Sequence, residues 1–154
     1  MASNKQTKPT TLYHYTTKSG KNGIEKDKTI NKSVKKRGKN DVVHGDGVYL
    51  TELTPETAGG AKAIAINNFD GTTLDQVAQS NINRGKIDFY IKLKLKKEKM
   101  VNLEWCEDKK ERLKALNRNV WLYKDQDIDL STDVDSWEVG ETPNVVKEKK
   151  TKKK

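Results

Sequence analysis

A ten-residue run in the second half of the chain alternates apolar and polar side chains without a break: Ile87-Asp88-Phe89-Tyr90-Ile91-Lys92-Leu93-Lys94-Leu95-Lys96. Successive side chains of a β-strand point to opposite faces, so the alternation predicts a strand with one face in the core and the other in solvent. The run is the clearest strand signal in the sequence.

Two shorter segments, 12–16 and 45–51, also predict strands, because aromatic and β-branched residues are bounded there by turn formers. Each carries a polar aromatic residue that can face a cleft, His14 on the first and Tyr49 on the second. The intervening sequence predicts a short capped helix over 18–26 and a return strand over 29–33.

The rest of the chain mixes helix and strand signals. Thr54 as N-cap and Pro55 in the first turn predict a helix that continues over 58–67, and a second short helix is predicted over 73–79. Further segments are a turn at 68–71, strands at 101–105, 119–123 and 137–139, extended chain over 126–132 and a charged helix over 108–116. This mixture predicts an α+β fold.

The length and composition predict one domain with unburied ends. In 154 residues, 32% are hydrophobic and 34% are charged, which leaves too little apolar surface to bury the whole chain. We expect a flexible N-terminus at 1–10, a domain over 11–140 and a disordered lysine-rich tail at 141–154. The last eight residues hold six lysines and one glutamate, so without them the formal charge falls from +9 to about +4.

The sequence argues against several classes of protein. It has no apolar stretch long enough to span a bilayer and no apolar run after its first lysines, so neither a membrane protein nor a secretory signal is expected. The single Cys106 excludes an intrachain disulfide and argues against a zinc site, so no metal is expected. We expect a monomer in a reducing compartment, the cytoplasm or nucleus, unless a signal has been removed from a secreted effector.

The segment 12–16 (Leu-Tyr-His-Tyr-Thr), the Gly23-Ile24 pair, a basic loop and the segment 45–51 (Gly-Asp-Gly-Val-Tyr-Leu-Thr) follow one another in a recognisable order. This order resembles the H-Y-[D/E] branch of the ADP-ribosyltransferase superfamily, and within it the HYD1-signature toxin-like ADP-ribosyltransferases. The resemblance covers the first fifty-odd residues by motif and the rest by order of elements. It implies a small split β-sheet core with two or three short helices.

The resemblance also implies an activity. Its members use NAD as substrate, cleave the nicotinamide–ribose bond and transfer a single ADP-ribose to a macromolecular acceptor, here an unknown protein or nucleic acid. Carried over, His14 bonds a ribose hydroxyl, the Tyr15 backbone grips the nicotinamide amide, and Tyr49 stacks on the nicotinamide ring. Thr16 and Gly47 are expected to line the same NAD site.

The third catalytic residue, an acid, is less clearly marked. Polymerase-like relatives place a Glu at the start of a late core strand, but the similar strand here begins with Asn119. The HYD1-type pattern places an Asp near a D-L-D-L-S segment, and the chain shows Asp127-Ile128-Asp129-Leu130-Ser131. We take Asp129 as the first candidate and Asp127 as the second, with Asp88 and Glu138 left open.

Charge and the missing acid keep other functions open. The basic loop 32–39, with Lys36 and Arg37, can be an ordinary exposed loop, a clamp for the NAD pyrophosphate or a contact for a nucleic-acid backbone. The lysine tail favours non-specific contact with polyanions. Two alternatives to the transferase therefore stand: a catalytically inactive ADP-ribosyltransferase-fold binding module, and a basic nucleic-acid-binding or nucleic-acid-modifying protein. Plain NAD hydrolysis is a third outcome of the same chemistry.

Overall fold

A computed structural model describes residues 8–32, 46–57, 60–68, 75–106, 119–143 and 145. Its elements are, in chain order, β1 (Thr11–Thr16), α1 (Lys18–Asp27), β2 (Thr29–Ile30), β3 (Gly47–Leu50), α2 (Gly60–Asn68), α3 (Asp75–Asn83), β4 (Phe89–Leu95), a 3₁₀ helix (Lys97–Asn102), β5 (Leu103–Trp105), β6 (Trp121–Lys124), β7 (Ile128–Asp129) and β8 (Val134–Glu141).

The strands form three small antiparallel sheets rather than one. The strand orders are β1-β4-β8, β3-β6-β5 and β2-β7. The predicted α+β fold with a split β-sheet core and short helices is confirmed.

β4 is the central strand of its sheet and divides two apolar cores. Ile91, Leu93 and Leu95 are at most 1% exposed and belong to the first core, as the alternation predicts. The other face was expected to be solvated, but Tyr90 packs there against a second core. This core joins tyrosines of β1 to apolar residues of α2 and α3, so helices cover part of the second face of the sheet.

α1 follows the prediction closely because its ends are chemically marked. The side chain of Thr17 accepts a hydrogen bond from the Gly20 N–H, which caps the helix N-terminus. At the other end Lys28 adopts a left-handed conformation and its N–H bonds the Ile24 carbonyl. Ile24 itself is buried in the first core, which anchors the helix against the sheets.

Several predicted boundaries are wrong. α2 begins at Gly60 rather than in the Pro55 turn, because the Thr57 N–H bonds the Thr54 carbonyl and closes a separate turn. The start of the strand predicted over 101–105 is taken by the 3₁₀ helix. The extended segment predicted over 126–132 holds only β7 and then turns, while the predicted edge strand at 137–139 extends to Val134–Glu141.

Other predictions fall outside the described residues: the charged helix over 108–116, most of the basic loop with Lys36 and Arg37, and segments 1–7 and 146–154 at the ends. Beyond β8, Thr142 is 4% exposed and donates its N–H to the Asp88 carbonyl, and Val145 packs on the second core. The Cys106 side chain is buried, 5% exposed. No helix in the described part of the chain is both long and apolar enough to cross a bilayer.

Candidate functional site

The two motif strands meet at one point and then separate. Tyr13 and Thr51 exchange both main-chain hydrogen bonds, N–H to carbonyl, at 2.8 and 3.0 Å. On its other edge β1 pairs with β4 along its whole length, and β3 pairs with β6. The bridge is therefore the junction at which the two larger sheets diverge, and His14 and Tyr49 lie just past it on either side.

His14 is the first residue of β1 after the bridge. In a continued antiparallel ladder, the Tyr49 carbonyl would accept from the backbone N–H of Tyr15. Instead, the His14 imidazole lies 3.1 Å from that carbonyl oxygen through Nδ1. A carbonyl oxygen only accepts, so Nδ1 carries the proton and the neutral ring presents Nε2 as an acceptor.

Burial sets the charge of this ring. Desolvation of the half-buried His14 lowers its pKa below the ordinary 6.5, and the hydrogen bond to the Tyr49 carbonyl opposes this shift in part. The imidazole is therefore neutral at pH 7, with Nε2 able to accept a hydrogen bond from a hydroxyl group.

Tyr49 lies on the other face of β3 from Val48 and Leu50, which are both in the first core. It pairs across the sheet with Leu122 and packs against a small cluster of Cys106, Val120 and Leu122. The ring is half-buried, so it is held on one side and retains accessible surface. A ring held in this way can stack on a planar ligand.

The Tyr15 side chain serves the fold. Its ring packs in the second core, and its hydroxyl donates to the Leu53 carbonyl at 2.7 Å. Burial raises the pKa of this phenol, so it stays neutral. The backbone is placed differently: because Tyr13 directs its N–H and C=O at Thr51, the strand period directs those of Tyr15 to the same edge, into the divergence.

Thr16 and Gly47 both lie in close contact with neighbouring elements. A Cβ on Gly20 would collide with the Thr16 hydroxyl, so this threonine packs directly on the start of α1. Gly47 has a φ of +146°, and a Cβ there would collide with the Tyr123 carbonyl oxygen. Glycine at 47 is thus required by the close approach of β3 to β6.

Asp129 lies on β7 of the β2-β7 sheet, and Asp127 directly precedes this strand. Asp127 Oδ1 accepts from the Lys32 N–H at 2.8 Å, and Asp129 Oδ1 accepts from the Ser131 N–H at 2.8 Å. Within the described residues, neither carboxylate contacts His14 or Tyr49. Of the other candidates, Asp88 lies just before β4. Glu138 is an exposed residue of β8 and pairs with Lys92 of β4.

Sequence reasoning missed a polar cluster beside the bridge. In the sequence, Asn119 was noted only because polymerase-like relatives carry an acid there. In the structure its side chain donates to the carboxylate of Glu52, just after β3, and its N–H donates to the amide oxygen of Asn67 on α2. One signal was visible: Asn67 is a polar residue that directly follows the apolar run 63–66 on α2. In the part of the chain that is described, no three His, Cys, Asp or Glu side chains are grouped to hold a metal ion.

A split-sheet α+β domain with His and Tyr on two strands that part from one bridge has the features expected of an ADP-ribosyltransferase. A family model described as HYD1 signature containing ADP-ribosyltransferase matches residues 12–131. That is more than three quarters of the chain, and the chain belongs to this family. Searches of the curated proteins and of the solved structures gave no match.

Proposed function

We propose that this ADP-ribosyltransferase domain is an NAD-dependent mono-ADP-ribosyltransferase that acts on a macromolecular acceptor in the cytoplasm or nucleus. The observation that carries the proposal is the hydrogen bond from His14 Nδ1 to the Tyr49 carbonyl. It fixes the two residues of the family motif across the divergence of the sheets, with Nε2 left as an acceptor.

The roles follow from the chemistry of each group. His14 Nε2 accepts from a ribose hydroxyl, which requires the neutral ring that burial favours. The N–H and C=O of Tyr15, on the diverging edge, match the C=O and NH₂ of the nicotinamide amide. The Tyr49 ring supports the nicotinamide ring by stacking, and a rigid stack restricts the ligand to a reactive orientation.

In the proposed reaction the bond between ribose C1′ and the nicotinamide nitrogen breaks. The bonding electron pair goes to the nitrogen, so nicotinamide leaves neutral and positive charge develops on the ribose. A nucleophile of the acceptor then bonds C1′ and loses its proton to solvent. A carboxylate near the ribose would stabilise the developing charge, and we assign this role to Asp129 first and Asp127 second.

The pyrophosphate of NAD requires cations, and the basic loop offers Lys36 and Arg37. Both lie outside the described residues, so their assignment rests on the sequence. We propose that they contact the two phosphates, because guanidinium and ammonium groups form charge-assisted hydrogen bonds with phosphate oxygens.

Transfer and hydrolysis are separated by following the adenine end of NAD. Purified protein is incubated with adenine-labelled NAD, with and without cell lysate. Transfer predicts label on protein or nucleic acid that resists denaturing washes and depends on His14. Label recovered only as free ADP-ribose would show that the enzyme is an NAD hydrolase.

A second candidate, an inactive NAD-binding module, is favoured by one observation. Polymerase-like relatives carry an acid at the start of a late core strand, whereas here Asn119 stands just before β6 and its amide donates to the Glu52 carboxylate. Under this alternative, NAD binding is measurable by titration while nicotinamide release is absent. Binding to DNA or RNA that survives loss of His14 would instead support the nucleic-acid-binding alternative.

A further inference from the structure

Five residues form a polar cluster at the closed end of the divergence, here called the junction network: Thr51, Glu52, Asn67, Asn119 and Trp121. Asn119 is its centre. Its Oδ1 accepts from the Glu52 N–H at 2.7 Å, and its Nδ2 donates to Glu52 Oε2 at 2.8 Å. Trp121 Nε1 donates to the same carboxylate oxygen at 3.0 Å.

The network also reaches α2 through a reciprocal pair. The Asn119 N–H donates to Asn67 Oδ1 at 2.6 Å, and Asn67 Nδ2 donates back to the Asn119 carbonyl at 2.8 Å. The Thr51 hydroxyl donates to that carbonyl at 2.7 Å. Thr51 and Asn67 are 3% and 5% exposed, so these bonds are shielded from water and costly to break.

This network holds the residues that define the divergence. Thr51 is the bridge partner of Tyr13, the residue before His14. The Leu53 N–H bonds the Thr51 hydroxyl at 3.2 Å, and the Leu53 carbonyl accepts from Tyr15. Tyr13 and Tyr15, the neighbours of His14 on β1, are therefore hydrogen-bonded to residues 51–53, and Asn119 holds this segment in place.

We propose that Asn119 is a positioning residue for the active site. Through Glu52 and Thr51 it sets the separation of β1 from β3, and thereby the His14–Tyr49 hydrogen bond. Polymerase-like relatives carry an acid at the corresponding position. In this chain the amide of Asn119 binds Glu52 of the same protein instead of a ligand. The catalytic consequence rests on the proposed function, whereas the effect on His14 does not.

The first test exchanges the donor and acceptor of the central pair. Asn119→Asp places two carboxylates in contact and removes the donor to Glu52. The double variant Asn119→Asp with Glu52→Gln restores an amide–carboxylate pair between the two positions, but the new NH₂ cannot also accept from Trp121 Nε1, so the restoration is partial. Tyr123→Phe is the control, because it removes a buried hydroxyl from β6, two residues after Trp121, at the Asn102 end and away from the bridge.

Three quantities are measured at a temperature where every variant is folded: nicotinamide release, the ring ¹⁵N signals of His14 and the Tm. For Asn119→Asp we expect kcat/KM to fall by about 10²-fold, since small displacements of reacting groups cost about this much. The ¹⁵N signals should lose the fixed Nδ1–H pattern. The double variant should recover both in part, and Tyr123→Phe should lower only the Tm.

A second pair of variants tests the proposal even if Asn119→Asp does not fold. Glu52 is exposed, so Glu52→Ala and Glu52→Gln should both fold. Glutamine can keep both bonds to Oε2 and alanine cannot, so only alanine should disturb the His14 signals.

Unchanged His14 signals in both Asn119→Asp and Glu52→Ala would overturn the proposal and leave the network a stability feature. If the double variant folds but recovers neither nicotinamide release nor the His14 signals, the proposed role of the pair formed by residues 52 and 119 would be overturned. If the wild-type protein releases no nicotinamide, the proposed function fails, and the His14 signals alone then decide the positioning role.

Discussion

The imidazole of His14 bonds the main-chain carbonyl oxygen of Tyr49, through Nδ1 at 3.1 Å, at the point where β1 and β3 stop pairing. A side chain thus takes the place of a ladder hydrogen bond. The bond fixes the tautomer of the histidine and satisfies the carbonyl that the divergence would otherwise leave open. One interaction therefore both closes the end of the sheet pairing and prepares an acceptor atom for a substrate.

The charge state of His14 makes stability depend on pH. Burial lowers its pKa in the folded protein, whereas the unfolded chain takes up this proton near pH 6.5. As the pH falls below about 6.5, the unfolded state binds the proton first, so the free energy of unfolding decreases until the folded state is also protonated. Above this pH the contribution is constant.

The measurement is urea unfolding between pH 5 and pH 8, beside NMR titration of the His14 ring. His14→Asn serves as the matched variant, because its amide can donate to the Tyr49 carbonyl but does not titrate. We expect the wild-type protein to lose more stability than the variant on acidification. Equal losses, or a ring pKa at or above 6.5, would contradict the assignment.

Tyr49 should act through its ring rather than its hydroxyl. Tyr49→Phe should leave KM for NAD close to the wild-type value, because the stacking surface is retained. Tyr49→Ala should raise KM by up to about tenfold, as aromatic stacking contributes about 0.5–1.5 kcal/mol. Steady-state nicotinamide release measures both. A Phe variant as impaired as the Ala variant would show that the hydroxyl is what matters.

The glycine at 47 should be indispensable to folding. Gly47→Ala introduces a Cβ against the Tyr123 carbonyl at a φ of +146°, so we expect a loss of at least about 2 kcal/mol. Gly23→Ala is the opposite case, since a Cβ in this turn of α1 meets nothing within 4 Å. It should raise stability by about 1 kcal/mol. Thermal or urea unfolding of the two variants tests the contrast.

The acid is tested by replacing each carboxylate with its amide. Asn retains an Oδ1 that can accept from the Lys32 or Ser131 N–H, so Asp127→Asn and Asp129→Asn should both fold. We expect Asp129→Asn to lower kcat by about 10²-fold or more and Asp127→Asn to lower it less. Asp88→Asn and Glu138→Gln complete the set. Full activity in both Asp127→Asn and Asp129→Asn would exclude segment 127–131 as the source of the acid.

Local sequence patterns were enough to predict much of the fold. The alternation of β4, the short capped helix α1 and the strands around His14 and Tyr49 were all predicted, because each depends on neighbours in sequence. The pairing of His14 with the Tyr49 carbonyl was not, since it depends on where two distant strands stop pairing. Which face of β4 is covered depended likewise on the placement of α2 and α3.

The junction network shows the limit most clearly. Asn119, Glu52 and Asn67 are separated by up to 67 residues, and only Asn67, which follows an apolar run on α2, stands out in its local sequence. Their connection arises only when β3, β6 and α2 converge. Sequence reasoning could register Asn119 as a departure from an expected acid, but only the tertiary contacts reveal what its amide does.

Nicotinamide release from NAD is the most direct measurement of the central assignment. Purified wild-type protein, His14→Ala and Tyr49→Ala are compared at pH 7.5, with all three shown to be folded. We expect release by the wild-type protein, a loss of about 10²-fold or more for His14→Ala, and a smaller loss for Tyr49→Ala. Release that persists unchanged in His14→Ala, or no release and no NAD binding by the wild-type protein, would contradict it.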